Sequence, residues 1–327
     1  MDAVVVTSSV IGASKPEDVH AYAGSRKVIS SEVLANGGIR SLDDALQRVP
    51  GIKIFDETGT GVLPQIMLRG LYESRSGRVQ TLLDGIPLSL APYGQTSVSL
   101  FPVTMSQIDR IDIVRGGAAV QYGPNNVGGV INFVSKPIPG HWTTVLGQQI
   151  TGAGDGKYLY DIRLSTGGYV SPNFGVQLDA NRIHGAYFRQ HSDTDVTNLR
   201  LRAEWWLTND KMLKADVQRY LADMEMAGAL SVADYRHDPL QATRPLDHFS
   251  GSTTRSSLTY FQDLGAWGPF DQSQFSWTNF AQHSERNFVV GLRRLATEAW
   301  RPDLPPQLLQ NAPRSFKVYG SQPQINL

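Results

Sequence analysis

After Pro139 the side chains alternate in character with a period of two, over segments near ten residues long. Tyr158, Tyr160, Ile162 and Leu164 alternate with Asp161, Arg163 and Ser165. Phe174, Val176, Leu178 and Ala180 alternate with Gln177, Asp179 and Asn181. Leu199, Leu201, Ala203 and Trp205 do so with Arg200, Arg202 and Glu204, and Leu213, Ala215 and Val217 with Lys214, Asp216 and Gln218. Successive strand residues point to opposite faces, so this spacing predicts antiparallel strands with one apolar and one charged face. Two architectures satisfy it. In a soluble sandwich the apolar face is the core and the charged face is solvated. In a membrane barrel the apolar face meets lipid and the charged face lines a wet lumen. Alternation leaves both open. Tyr158, Tyr160, Trp205, Trp206 and Tyr220 suit an aromatic girdle or ordinary edge packing, while the connection over 222–252 is long for a compact sandwich.

Composition narrows the classes. The chain has 327 residues, with 30 Lys+Arg against 30 Asp+Glu and no net charge, which disfavours nucleic acid as a partner. It has no cysteine, so disulfide scaffolds, thiolate zinc sites and thiol nucleophiles are excluded. Mean hydropathy is −0.24, and no apolar run approaches the ~18 residues of a spanning helix, which excludes a helical membrane protein but not a barrel. Residues 1–12 show neither a basic region nor an apolar run of signal-peptide length.

The stretch before residue 138 is mixed. Ser41 and Asp44 form a capping pair, and Leu42, Ala45, Leu46 and Val49 share one face, predicting a helix over 41–49 that Pro50-Gly51 stops. Val79–Leu83 reads as a strand ending in an Asp84-Gly85 turn. Ile108–Arg115 reads as a strand entering a glycine turn, and 127–134 as a strand ended by Pro137. The sum is an α+β module ahead of the alternating region. Gly116-Gly117 and Gly128-Gly129 lack the Lys-Ser/Thr of a phosphate loop and read as turns. His191, Asp193 and Asp195 could hold a metal, but a polar loop is the plainer reading. No clustered acid–base set points to an enzyme.

A series of phrases in this module resembles the plug of TonB-dependent receptors. Residues 41–52, ending Val49-Pro50-Gly51-Ile52, look like the family's "L-x-x-x-P-G-V" helix. Ile66-Met67-Leu68-Arg69-Gly70 resembles its "I-R-G" strand, and 79–87 its "V-L-x-D-G-I-P". Residues 108–117 resemble "I-E-x-I-E-V-x-x-G", and 122–133 "Y-G-x-x-A-x-G-G-V-I-N". Asp2, Ala3, Val4, Val5, Val6 and Thr7 look like a TonB box, a segment of low specificity by itself. Within the family, Ala91-Pro92-Tyr93-Gly94-Gln95, Leu100-Phe101-Pro102 and the stretch from Asp234-Tyr235 to Thr243-Arg244-Pro245 resemble the ferric citrate type.

The resemblance implies a TonB-box-like segment over 1–20, an α+β plug over 21–139, and antiparallel strands of an incomplete transmembrane barrel over 140–327, the family's full barrel having 22 strands. It implies outer-membrane location, a ferric chelate such as ferric citrate as cargo, TonB as energy-supplying partner, and contact with outer-membrane lipid. No cofactor or protein-held metal is implied, because iron travels inside its chelate. Ferric citrate complexes are polyanions that call for guanidinium and amide donors. Carried over residue by residue, the ligand contacts would be Thr60, Arg69 and Gln95 in the plug and Arg286 and Arg301 in the barrel loops. The plainer readings are a turn for Thr60, a structural ion pair for Arg69, and solvated surface for the two barrel arginines. Two features depart from the citrate type: Ser97 stands where it has a second glutamine, and the Thr60–Arg69 segment is shorter.

At roughly 10 residues per strand, 140–327 predicts about six to eight strands. An open sheet of that size leaves edges that lipid does not tolerate. The sequence reading is therefore a truncated receptor, inactive alone. Its rivals are a soluble β-rich binding protein that kept the plug module, and a non-functional gene remnant.

Overall fold

A computed structural model describes residues 25–36, 42–56, 58, 60, 62–71, 76–89, 91, 98–116, 126–153, 156–268, 270–291, 303, 305 and 308–326. The TonB-box-like residues 2–7, Gln95 and Arg301 lie outside them.

The first module is built on a five-stranded sheet. Its strands are β1 (Ser25–Ile29), β4 (Val79–Leu83), β5 (Ile86–Pro87), β6 (Ile108–Arg115) and β7 (Gly129–Ser135). Their order is β1-β6-β7-β4-β5, with only the β4–β7 pair parallel. A second hairpin joins β2 (Ile52–Asp56) to β3 (Pro64–Leu68). The helices are short, α1 at Ser31–Asn36 and α2 at Leu42–Leu46. Helix α2 covers only the middle of the expected 41–49 span; Gln47–Val49 turn instead, with Val49 N–H donating to Leu46 O. Leu42, Ala45 and Leu46 bury one face against Ile52, Ile66, Leu68, Ile111, Ile113, Ile131 and Phe133, and Phe101 meets Phe133 edge-on at 5.5 Å. This apolar face of the sheet is the module's core.

The opposite face buries valines and polar side chains together, among them Val28, Val114 and Val130 beside Arg26, Asp112 and Asn132. Arg26 donates through Nε and Nη2 to the two oxygens of Asp112, a forked pair closed to solvent. Burial pushes the Asp112 carboxyl up, against the pull of Arg26. The β4–β5 hairpin closes as expected on Asp84 and Gly85, both left-handed at φ 51° and 80°, the requirement of a two-residue turn that follows sheet twist. At Gly129, with φ 143°, a Cβ would lie 2.4 Å from Val114 O. Only glycine admits that approach between β6 and β7.

The second module is one antiparallel sheet. Strands β8 (Thr143–Ala153), β9 (Lys157–Ser171), β10 (Phe174–Ala186), β11 (Asp193–Thr208), β12 (Lys211–Glu225), β13 (His248–Trp267) and β14 (Phe270–Gly291) pair in sequence order. β15 (Leu309–Asn311) and β16 (Arg314–Asn326) both pair with β14, giving nine strands among the described residues. The count passes the six to eight expected only because three-residue β15 shares one edge of β14 with β16, so the sheet is eight strands across. Three hairpins are tight: 172–173, 209–210 and 268–269. All of these lie at one end. At the other end are the connections 154–156, 187–192, 226–247 and 292–308.

Exposure resolves the ambiguity of the alternation. Leu201 is 53% exposed and Val217 49%, whereas their neighbours Arg200 and Gln218 are 3% and 1%. Leu178, Leu199, Leu258, Trp277 and Tyr319 are likewise exposed, and Asp179, Thr253, Gln282 and Ser284 buried. The sheet is apolar outside and polar inside, the reverse of a sandwich half, and its polar face is covered by the first module. A contiguous outward apolar face of this size suits hydrocarbon. No helix among the described residues is long and apolar enough to cross a membrane, which says nothing of strands.

Candidate functional site

The plug seats on the wall through polar contacts at one level and an apolar cluster at another. At the first level, Arg200 of β11 meets the β4–β5 turn. Its Nη2 donates to Asp84 Oδ2 at 2.6 Å and its Nη1 to Ser135 Oγ at 2.6 Å, while Nε donates to Asp216 of β12 at 2.9 Å. Ser135 returns two bonds to Asp84, from its N–H at 2.8 Å and its hydroxyl at 2.6 Å. Burial pushes the Asp84 carboxyl up, but the Arg200 charge and the Ser135 bonds outweigh it and hold the pKa down to about 2. Arg255 of β13 donates to the carbonyls of Ile86 and Pro87, each at 3.3 Å. Gln218 Nε2 reaches Pro102 O at 2.8 Å, and Asn198 Nδ2 reaches Thr104 Oγ1 at 3.1 Å.

Nearer the long connections, Val62, Leu63 and Leu100 of the plug pack with Val196, Tyr220, Met224, Phe249 and Phe288 of the wall. Two of the expected ligand residues border this cluster. Thr60 Oγ1 accepts from Thr194 Oγ1 at 3.5 Å and shares a hydrogen bond with Thr58 Oγ1 at 2.8 Å; Thr58 in turn donates to Asp56 at 2.9 Å. Arg286 of β14 donates through Nη1 to Ser99 Oγ. Its guanidinium carbon lies 5.5 Å from the Phe288 ring centre and 5.7 Å from that of Phe316. Two aromatic faces hold the cation in place. Arg286 is therefore not a freely solvated surface arginine.

Arg69 is not brought to this pair. It follows β3 at its far end, exposed, with φ 52°, its backbone N–H donating to Gly51 O at 2.7 Å and its Nη1 beside Gly116. The five residues of β3 separate it from the Thr60 loop by about 16 Å at ~3.3 Å per residue.

The long connections are tied to one another. Arg189 donates to the carbonyls of Ala227, Gly228 and Gln241. His191 Nε2 lies 2.7 Å from Asp247 O, and its Nδ1 3.3 Å from Glu225 Oε1. Only His191 lies in a connection: Asp193 and Asp195 open β11, not the polar loop expected, and Asp195 pairs with Arg182 of β10 at 2.7 Å; no cluster of metal-type side chains occurs among the described residues. Helix α3 (Val232–His237) begins on a Ser231–Asp234 capping box.

Sequence reasoning missed Ser99, Thr194, Arg200 and the loop arginine Arg189. For Arg200 a signal existed: its position on the charged face of a strand opposite the Asp84 turn phrase. Ser99 and Thr194 carry none.

Comparison with known proteins fits this geometry. Residues 18–130 match the TonB-dependent Receptor Plug Domain. The crystal structure of ferric citrate transporter FecA, unliganded, superposes with a TM-score of 0.80 at 33% identity, covering 95% of this chain and 45% of that one. The chain belongs to the TonB-dependent receptor family. It is a plug followed by barrel strands, and the family is one of receptors, not enzymes. Two further structures share the fold: the siderophore receptor PirA from Acinetobacter baumannii (TM-score 0.61, 17% identity, 86% of this chain, 47% of that) and the open form of the ferric-catecholate import receptor Fiu from E. coli K12 (0.67, 14%, 93% and 46%). The chain spans less than half the length of each of these three.

Proposed function

We propose that the receptor of which this plug and these barrel strands form part takes up a ferric chelate across the outer membrane, that the chelate is ferric citrate, and that TonB energises uptake through residues 2–7. The outward apolar face supports membrane residence over the soluble β-rich alternative. The likeness to a ferric citrate transporter at 33% identity supports the cargo. The observation that carries the site is Arg286: a cation clamped by two aromatic rings and touching the plug at Ser99. A guanidinium held in this way suits a multiply charged carboxylate complex, and it reports occupancy directly to the plug. Thr60, across the same apolar cluster, supplies a neutral hydroxyl. Gln95 joins them on the strength of its Pro-Tyr-Gly-Gln phrase, and Arg301 by position alone.

In this reading, the short turns face the periplasm and the long connections the exterior. Chelate binding near Arg286 displaces the Ser99 contact and biases the plug toward releasing residues 2–7. The test is uptake of radioiron as ferric citrate by cells whose other ferric citrate receptors are deleted. Arg286→Ala is expected to weaken uptake affinity by about 2 kcal/mol, roughly 30-fold, the cost of losing a charge-assisted contact. Unchanged uptake by a variant present at wild-type level in the outer membrane would refute the site.

A further inference from the structure

A second feature lies between plug and wall, at the end of the sheet with tight turns. It is a cavity of about 1100 Å³, floored by the 172–173 turn and by Thr208 and Asn209 at the end of β11, and walled by β11–β14 on one side and by the β6 and β7 ends of the plug on the other. Six cations line it against four carboxylates. Most are already engaged. Arg200 holds Asp84 and Asp216, Lys214 pairs with Glu204 at 3.2 Å, and Arg202 donates to Lys136 O and Asp179.

Arg110 of β6 differs. It is 7% exposed, and only Nη1 is spoken for, donating to Asp109 Oδ2 at 2.9 Å. Its Nε and Nη2 are buried and find no acceptor among the described residues. These two atoms form the side-on edge of the guanidinium, the parallel pair of N–H groups that donates to both oxygens of one carboxylate. A buried charged donor pair left unfilled costs free energy, and a cavity anion would recover it. Lys136, exposed on the same cavity, has no carboxylate partner among the described residues.

We infer that this cavity is an anion station: Arg110 receives a carboxylate of a multiply charged carboxylate complex by its Nε–Nη2 edge, and Lys136 supplies the second charge. It rests on the uptake reading for the identity of the anion, ferric citrate, which would pause here after leaving the Arg286 level. The site is separate from Arg286. It lies on the side of the plug toward the tight turns, so it is reachable from that side without passing the apical cluster.

Trp206 lines the cavity, its Nε1 donating to Tyr169 OH at 3.0 Å, and iron(III) quenches nearby indole emission. The experiment titrates the detergent-purified protein with ferric citrate. It reads the Trp206 component as wild type minus Trp206→Phe, and reads binding at the Arg286 level in parallel as the iron that Arg110→Gln still retains in equilibrium dialysis. Saturable Trp206 quenching is expected. Its midpoint should rise at least tenfold in Arg110→Gln, several-fold in Lys136→Gln, and stay unchanged in Arg286→Gln, while Arg110→Lys recovers only part of the loss. Lys136 is exposed, so its variant tests the station even where Arg110→Gln fails to fold. Absent or non-saturable quenching, or wild-type midpoints in both variants, overturns the inference. If adding Arg286→Gln to Arg110→Gln leaves that retention intact, the Arg286 site fails instead; if no iron is retained but citrate anion still protects Trp206 from iodide quenching in an Arg110-dependent way, the station stands and the cargo reading falls.

Discussion

Replacing Asp84 with Asn should loosen the plug from its wall without altering either module's core. Asp84 sits in the β4–β5 turn and receives Arg200 Nη2 and two bonds from Ser135. Its carboxyl is held down to about 2 from an ordinary 3.8. At ~1.4 kcal/mol per pKa unit, this is about 2.5 kcal/mol of stabilisation of the ionised form. The side chain keeps 27% of its exposure, so screening trims the figure to about 2 kcal/mol. The sign follows from the lowered pKa. The contribution is complete above about pH 5 and is lost as pH falls through 4 towards 2, where folded Asp84 takes up its proton. The assay is calorimetry of the detergent-solubilised protein, with the plug transition followed by protease cleavage within the 84–91 turn region. At pH 7 the Asn variant should lose about 2 kcal/mol of plug stability. Between pH 5 and 3 the wild type should fall towards the variant, which itself stays flat with respect to this group. A plug transition that is unchanged at pH 7, or that keeps its full acid sensitivity in the variant, would refute the argument.

Gly129→Ala should destabilise the plug by at least ~2 kcal/mol, because its Cβ meets Val114 O at 2.4 Å, whereas Gly70→Ala, left-handed but in open space, should cost only about 1; urea unfolding compares the two. Leu201→Arg on the outward face should cost about 2–4 kcal/mol of insertion into lipid vesicles, read as the fraction resisting carbonate extraction. Ser231→Ala removes the α3 cap and should cost ~1 kcal/mol locally, seen as faster amide exchange over 232–237 with the wall unaffected.

The strands of this protein were legible because period two is a strong signal, and β4, β6 and the Asp84-Gly85 turn fall where the residues place them. What alternation could not carry was sidedness. Arg200 beside Leu201 reads the same whether the arginine meets water or a plug, and only the exposure of Leu201 settles it. The α2 span was overestimated because Val49 shares its helical face, yet that side chain is buried equally well by a turn. At the site, residue-by-residue correspondence with the family pointed to Thr60 and Arg286, and both border one apolar cluster. They could not show that Arg69 stands a strand's length away, because separation in sequence carries no direction. Arg110 was invisible altogether: its distinction is an unfilled donor edge, a property of packing and not of residue type.

The most direct measurement is equilibrium binding of two chelates to the detergent-purified protein, ferric citrate and a ferric catecholate, each in wild type and Arg286→Ala. Saturable ferric citrate binding, weakened roughly 30-fold by the substitution and not displaced by equimolar catecholate, is expected. Preference for the catecholate, or ferric citrate binding indifferent to Arg286, would contradict the proposed cargo and the proposed site.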